Sequence, residues 1–200
     1  MTATRTAEPA AAPRAAKLIT DVLSPVVLVS VQLLLVPVHA AGMLPGLAWG
    51  AVAVAFVSAA PLAYILFRVR RRTLTDVHIG VREHRRLPLL VGLVTVLAGL
   101  ALLAATGAPR ELLALIAAIV VLAVATIAIT GLWKISVHAT VAMMTVGVLV
   151  ALFGPWLWLT LPVVALIGWA RVALADHTVP QVLAGAALGL CVAGAFVLAR

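Results

Sequence analysis

The chain has 200 residues, of which 65% are hydrophobic and only 10% are charged, a composition that excludes a water-soluble globular domain. Its 14 Lys and Arg residues outnumber its 6 Asp and Glu residues. Because these basic residues are few and local, orientation in a membrane or an anionic substrate explains them better than a nucleic-acid partner. Cys191 is the single cysteine, so neither an intrachain disulfide nor a thiolate metal cluster is expected.

The polar, Ala- and Pro-rich N-terminus predicts a disordered tail at 1–18. The apolar runs that follow predict one transmembrane domain at 19–200. An apolar run of roughly twenty residues crosses the hydrocarbon core as a helix. The predicted spans are 19–41, 47–67, 88–106, 111–131, 137–154, 156–175 and 179–199. Asp21 and Pro25 weaken the first span, so the predicted fold is an all-α membrane bundle of six or seven transmembrane helices. Gly and Pro predict turns between the spans at 44–46, 106–110, 131–134 and 154–155.

The basic residues gather at one membrane face, here called the arginine face, which carries the 68–87 loop. That loop holds seven arginines. Counting the spans alternately also brings the N-terminal tail, Lys134 and Arg171 to the arginine face, whereas Arg110 and Arg200 fall on the opposite face. The positive-inside rule therefore predicts that the arginine face is cytoplasmic.

A first polar cluster, Lys134, Ser136 and His138, begins the fifth span. The free backbone N–H groups and the dipole of a helix N-terminus attract phosphate, Lys134 adds a positive charge and Ser136 adds a hydroxyl. His138 could donate a proton to a leaving group. The same residues also fit a capped helix with a lysine anchor at the membrane surface.

A second cluster joins the sixth and seventh spans. Thr178 and Pro180 predict a helix start, which places His177 just before a helix N-terminus. Arg171 lies in an apolar helix end, where a bound anion or a carboxylate would offset the cost of an unpaired guanidinium. A snorkelling arginine beside an interfacial histidine is the alternative interpretation.

A third group of polar residues lies in the arginine-rich loop, where lipid headgroups are the simplest partners. The residues of this group that qualify as site candidates are Asp76, His78, Arg82, Arg85 and Arg86. Together, the three groups fit phosphoryl transfer: one histidine attacks phosphorus, another protonates the leaving oxygen, and cations hold the remaining oxygens. This chemistry calls for neither a metal nor a cofactor.

At these positions the sequence resembles the type 2 phosphatidic acid phosphatase (PAP2) superfamily, whose motifs are Lys-x6-Arg-Pro, Pro-Ser-Gly-His and Ser-Arg-x5-His-x3-Asp. Arg171, His177 and Gln181 keep the spacing of the third motif, and 135–138 keeps the Ser and His of the second. The first motif has no match, and the loop residues from Asp76 to Arg86 occupy its place. The resemblance covers about residues 68–190.

The resemblance implies a PAP2-like core and a lipid phosphate or diphosphate substrate, with a polyprenyl phosphate as one example. It implies that His177 is the nucleophile, that His138 is the general acid and that Gln181 stands where the family orients the nucleophile with an Asp. Asp76 or Asp176 could take over that orienting role.

The resemblance likewise implies phosphate-binding roles for residues of all three clusters. These are Arg171, Ser136, Lys134 and His78, with one or more of Arg82, Arg85 and Arg86. The expected location is a bacterial-type plasma membrane. The positive-inside rule predicts a cytoplasmic site, whereas many bacterial members of the PAP2 superfamily act on the outer face.

Two further interpretations stay open. A non-enzymatic protein of the same fold would bind or move an anionic lipid, a reading that Val137, Gln181 and the missing first motif favour. A small-solute channel or transporter is the third, although the sequence lacks paired interrupted helices in repeated halves.

Overall fold

The computed structural model describes residues 14–71 and 86–200, and these residues are helical with no strand among them. The α-helices are α1 (Arg14–Val22), α2 (Pro25–Ala41), α3 (Met43–Val54), α4 (Ala60–Arg70), α5 (Arg86–Ala105), α6 (Arg110–Leu132), α7 (Val137–Phe153), α8 (Leu161–Ala173) and α9 (Val179–Ala199). A π-helical segment, Ala55–Ala59, joins α3 to α4, and a 3-10 segment, Pro155–Thr160, leads into α8. The predicted all-helical class is confirmed.

Five helical stretches in the described residues are long and apolar enough to cross a membrane. They are Arg14–Ala41, Met43–Arg70, Arg110–Thr130, Pro155–Ala173 and Val179–Ala199. Two further apolar helices, Leu90–Ala105 and Val137–Phe153, are shorter. The chain is therefore a membrane protein with at least these five candidate spans.

The N-terminal helices differ from the prediction in two places. The first helix begins at Arg14, so residues 14–18 of the predicted tail are helical, whereas residues 1–13 lie outside the described part. The predicted turn at 44–46 is wrong: the chain turns at Gly42, where φ is +82°, and Pro45 lies in the first turn of α3. Proline fits there because the first N–H groups of a helix have no partner within the helix.

Helix α7 lies at the centre of the bundle, packed against α2, α8 and most extensively α9. Small residues permit the α7–α9 contact: a methyl group at Gly185 would lie 2.6 Å from the Ser136 carbonyl oxygen, and one at Gly189 would overlap the Thr140 carbonyl oxygen. Close backbone approach at glycine is the usual packing device between helices in lipid. This interface fixes the start of α9 against the start of α7.

A buried polar contact ties α2 to the same central helix. Gln32 has no exposed surface, and its Nε2 donates to the Thr145 hydroxyl at 2.7 Å, which in turn donates to the Val141 carbonyl at 2.8 Å. Polar groups at membrane depth need such partners.

At one end of the bundle, Arg110 donates to the Ala199 carbonyl at 3.2 Å and Arg200 donates to the Ala151 carbonyl at 2.8 Å. The first residue of α6 therefore lies beside the C-terminal ends of α7 and α9. The starts of α7 and α9 and the end of α8 meet at the other end, where Lys134 and Arg171 lie.

Candidate functional site

The site candidate lies where α7 starts, α8 ends and α9 starts. The Ser136 N–H donates to the Gln181 carbonyl at 3.3 Å, and the Lys134 ammonium donates to the Asp176 carbonyl at 2.6 Å. Two segments separated by about forty residues of chain are thus held side by side. We call Lys134, Ser136, Arg171, Asp176, His177 and Gln181 the junction cluster.

Ser136 caps α7, as the sequence predicts. The Ala139 N–H donates to its hydroxyl at 3.5 Å, and its carbonyl accepts from the Thr140 N–H and hydroxyl. It has no exposed surface, because α9 lies over it at Gly185. Its visible role is to fix the first turn of α7, on which His138 is also buried.

The end of α8 turns sharply through Ala175, a non-glycine residue with φ of +56°. The Ala175 N–H donates to the Val172 carbonyl, and the Asp176 N–H donates to the Arg171 carbonyl, the pair of bonds that defines a Schellman ending. A left-handed alanine costs about 1–2 kcal/mol, which the turn and its neighbours must offset. The turn brings Asp176 and His177 back over the last turn of α8.

The turn also supplies the counterion that Arg171 needs. The Nη2 atom of Arg171 lies 3.0 Å from Asp176 Oδ2. The arginine side chain is 10% exposed, whereas the aspartate side chain is 44% exposed. Among the described residues, the Arg171 Nε–H has no hydrogen-bond partner. The guanidinium therefore keeps a buried donor that an oxyanion could satisfy.

His177 is held by the first turn of α9. The Gln181 Oε1 accepts from the Thr178 N–H at 3.1 Å and lies 3.3 Å from His177 Nδ1. Because that amide oxygen can only accept, Nδ1 carries the hydrogen, and in the neutral ring the lone pair is on Nε2. Gln181 thus holds the ring nitrogen, while Asp176, one of the residues expected to orient His177, pairs with Arg171.

The charges around His177 favour its neutral form. Burial lowers the pKa of the His177 imidazole below its ordinary value, and the positive charges of Lys134 and Arg171 lower it further. The hydrogen bond to Gln181 and the negative charge of Asp176 act more weakly in the opposite direction. A neutral imidazole near two cations is suited to attack an electrophile that carries negative charge.

Several predicted site residues have no described position or no described side chain. Asp76, His78, Arg82 and Arg85 lie outside the described residues, and Arg86 begins α5 without a described side chain. The sequence predicts that a carboxylate or an anion pairs with Arg171, but it does not identify Asp176. The left-handed turn that brings the two side chains together is at Ala175, and no glycine marks it in the sequence.

No family model, curated protein or solved structure matches the chain. Its activity must therefore be inferred from the chemistry of the junction cluster.

Proposed function

We propose that this chain is an integral membrane phosphatase that hydrolyses a lipid phosphate or diphosphate through a phosphohistidine intermediate. One observation carries the proposal: Gln181 holds Nδ1 of His177, which leaves the lone pair of the neutral ring on Nε2, and the charges of Lys134 and Arg171 favour that neutral form. The resemblance to the PAP2 superfamily in 135–138 and 171–181 supports the same chemistry and a PAP2-like core.

The reaction has two displacements at phosphorus. In the first, His177 Nε2 forms a bond to phosphorus while the bond from phosphorus to the lipid oxygen breaks, and His138 gives that oxygen a proton. In the second, water attacks the phosphohistidine, His138 takes a proton back, and inorganic phosphate leaves. One water is consumed and both histidines return to their starting state.

The cations account for how an anionic phosphoryl group would be held. Arg171 offers its Nε–H, which has no partner among residues 14–71 and 86–200, and Lys134 contributes a second charge close to His177. Fixed charges in a partly buried site stabilise the equatorial oxygens more than the same charges in water. Arg82, Arg85, Arg86 and His78 from the 68–87 loop would add to this binding.

We place the protein in a bacterial-type plasma membrane with seven spans, the two shorter apolar helices included. The arginine face is then cytoplasmic by the charge rule, although the family resemblance favours the outer face. A cysteine-labelling map decides between these: Cys191 is replaced by Ser, single cysteines are placed in the 68–87 loop, and labelling by a membrane-impermeant reagent from outside would refute the cytoplasmic assignment.

The test of the activity is phosphate release by purified protein from a panel of lipid phosphates, with and without vanadate. Vanadate mimics five-coordinate phosphorus and should inhibit. His177→Ala should reduce release to background, and His138→Ala should lower it by roughly 10²- to 10⁴-fold, the usual contribution of a general acid. His39→Ala is the matched control, because His39 packs edge-on against Phe153 on α7, near the opposite face. Full activity in both site variants would reject the mechanism.

A second candidate function is binding or movement of an anionic lipid without turnover. The Arg171–Asp176 ion pair favours it, because a carboxylate partner reduces the positive charge left to stabilise a transferring phosphoryl group. Gln181 favours it too, since a neutral amide cannot stabilise a positive imidazole by charge. Saturable binding of lipid phosphates with no phosphate release across the panel would select this function over the first.

A further inference from the structure

An apolar groove of about 290 Å³ runs between α8 and α9. From α8 it is lined by Ala165, Gly168, Trp169 and Val172, which recur at three- and four-residue spacing along one face of the helix. From α9 it is lined by Val179, Val182 and Leu183. Every lining residue is apolar, so the groove suits a hydrocarbon chain.

At one end, the residues that line the groove are close in sequence to the junction cluster. Val172 follows Arg171 directly, and Val179 comes two residues after His177. Ala165 lies seven residues from Val172, which at 1.5 Å per residue extends the groove by about 10 Å along α8. Half of the hydrocarbon core is about 15 Å thick, so the groove covers most of one leaflet.

The groove is open to the side, because Trp169 is 49% exposed and Leu183 is 64% exposed on the surface of the bundle. Its floor is narrow: a methyl group at Gly168 would lie 2.8 Å from a methyl carbon of Val182. A molecule in the surrounding lipid can therefore enter sideways, and only a slim chain fits above Gly168.

A larger cavity of about 460 Å³ lies between α7 and α9, but Arg200 lines it at the opposite end of the bundle. The lining of the α8–α9 groove instead adjoins Arg171 and His177 in the chain, at the end of the bundle where Lys134 also lies. An apolar groove that ends next to these cations suits an amphiphile with an anionic head and a hydrocarbon chain.

We infer that the α8–α9 groove binds the hydrocarbon chain of the lipid phosphate whose headgroup meets Lys134, Arg171 and His177. The inference rests on the proposed function. Lipid tails are as apolar as the groove, so it gains little from hydrophobic transfer and acts by aligning one chain with the headgroup site. The groove thus admits one hydrocarbon chain from the bilayer, and a chain held in it directs the attached phosphate toward His177.

The kinetic test fills the groove without touching the junction cluster. Ala165→Phe adds an aromatic ring on an exposed groove residue, and Leu166→Phe, on the next exposed residue outside the groove, is its matched control. Ala165→Phe should raise KM for a long-chain polyprenyl phosphate at least about tenfold, which corresponds to a loss of about 1.4 kcal/mol in binding. The variant should leave turnover of water-soluble para-nitrophenyl phosphate unchanged. Equal effects on both substrates, no effect on either, or the same effect in Leu166→Phe would overturn the inference.

A binding test separates failure of the groove from failure of the activity. A lipid phosphate with a brominated chain should quench tryptophan fluorescence more than a neutral lipid with the same chain, and Trp169→Phe should remove that excess. Excess quenching without any phosphate release rejects the proposed phosphatase and keeps the groove. Phosphate release without excess quenching keeps the phosphatase and rejects the groove.

Discussion

Replacing Asp176 by Asn tests whether Arg171 is a site for an oxyanion. At the observed 3.0 Å separation, a pair of unit charges in an effective dielectric of 20 interacts with about 5.5 kcal/mol. The aspartate side chain is 44% exposed, so solvent screens the pair and the net stabilisation falls to about 2 kcal/mol. Asp176→Asn should therefore lower stability by about 2 kcal/mol, because a buried guanidinium loses its counterion.

Thermal unfolding of the purified protein in detergent measures this loss. For a chain of this size, about 2 kcal/mol corresponds to roughly 4–8 °C in the unfolding midpoint. Asp21→Asn is the matched control: it removes an exposed carboxylate on α1 and should change stability by less than about 0.5 kcal/mol.

Inorganic phosphate should reverse the effect of Asp176→Asn, since the anion would take the place of the carboxylate beside Arg171. At a phosphate concentration ten times its dissociation constant, the variant should regain about 1.4 kcal/mol. The wild type should gain less, because its own carboxylate competes. An unchanged midpoint in Asp176→Asn, or equal phosphate gains in both proteins, would refute the reasoning about this ion pair.

Three further predictions concern single positions. Burial and the charge of Lys134 lower the pKa of His177, so the acidic limb of the kcat/KM profile should lie below pH 6.5. Lys134→Gln removes this charge and should move that limb to higher pH. A limb that moves to lower pH would contradict the proposed effect of Lys134. Ala175→Gly should stabilise the protein by about 0.5–1 kcal/mol in thermal unfolding, as glycine relieves the left-handed strain but costs unfolded-state entropy. Gly189→Ala should destabilise it by about 1–3 kcal/mol through overlap with the α7 backbone, whereas Gly194→Ala, with open space around it, should not; equal effects would argue against the close α7–α9 contact.

Sequence patterns predict the helix starts in this structure because helix capping depends on residues that are close in sequence. Ser136 and Thr178 start helices as expected, since a short polar side chain before an apolar run is a capping signal that needs no tertiary contact. The grouping of Lys134 with Arg171 at one end of the bundle follows from span counting alone.

The features that the sequence does not predict depend on long-range contacts or rare backbone states. The sequence predicts a turn at 44–46 rather than at Gly42, because proline permits both a turn and a helix start. The π-helical segment Ala55–Ala59 packs Phe56 against Gly99, a contact that no local pattern encodes. The left-handed Ala175 is invisible for the same reason, and with it the geometry of the Arg171–Asp176 pair.

Gln181 shows how a departure from the PAP2 motif can be consistent with the proposed chemistry. It occupies the third residue of α9, from which a glutamine reaches back to the N–H of the capping residue Thr178. The same amide oxygen lies against His177 Nδ1, so one side chain both starts the helix and sets the tautomer of the proposed nucleophile. An aspartate would add a negative charge and raise the pKa of His177, whereas the neutral amide leaves burial and the two cations to keep the ring unprotonated. In the proposed mechanism, Gln181 therefore gives no charge stabilisation to a phosphohistidine, but it leaves a nucleophile that stays neutral at lower pH.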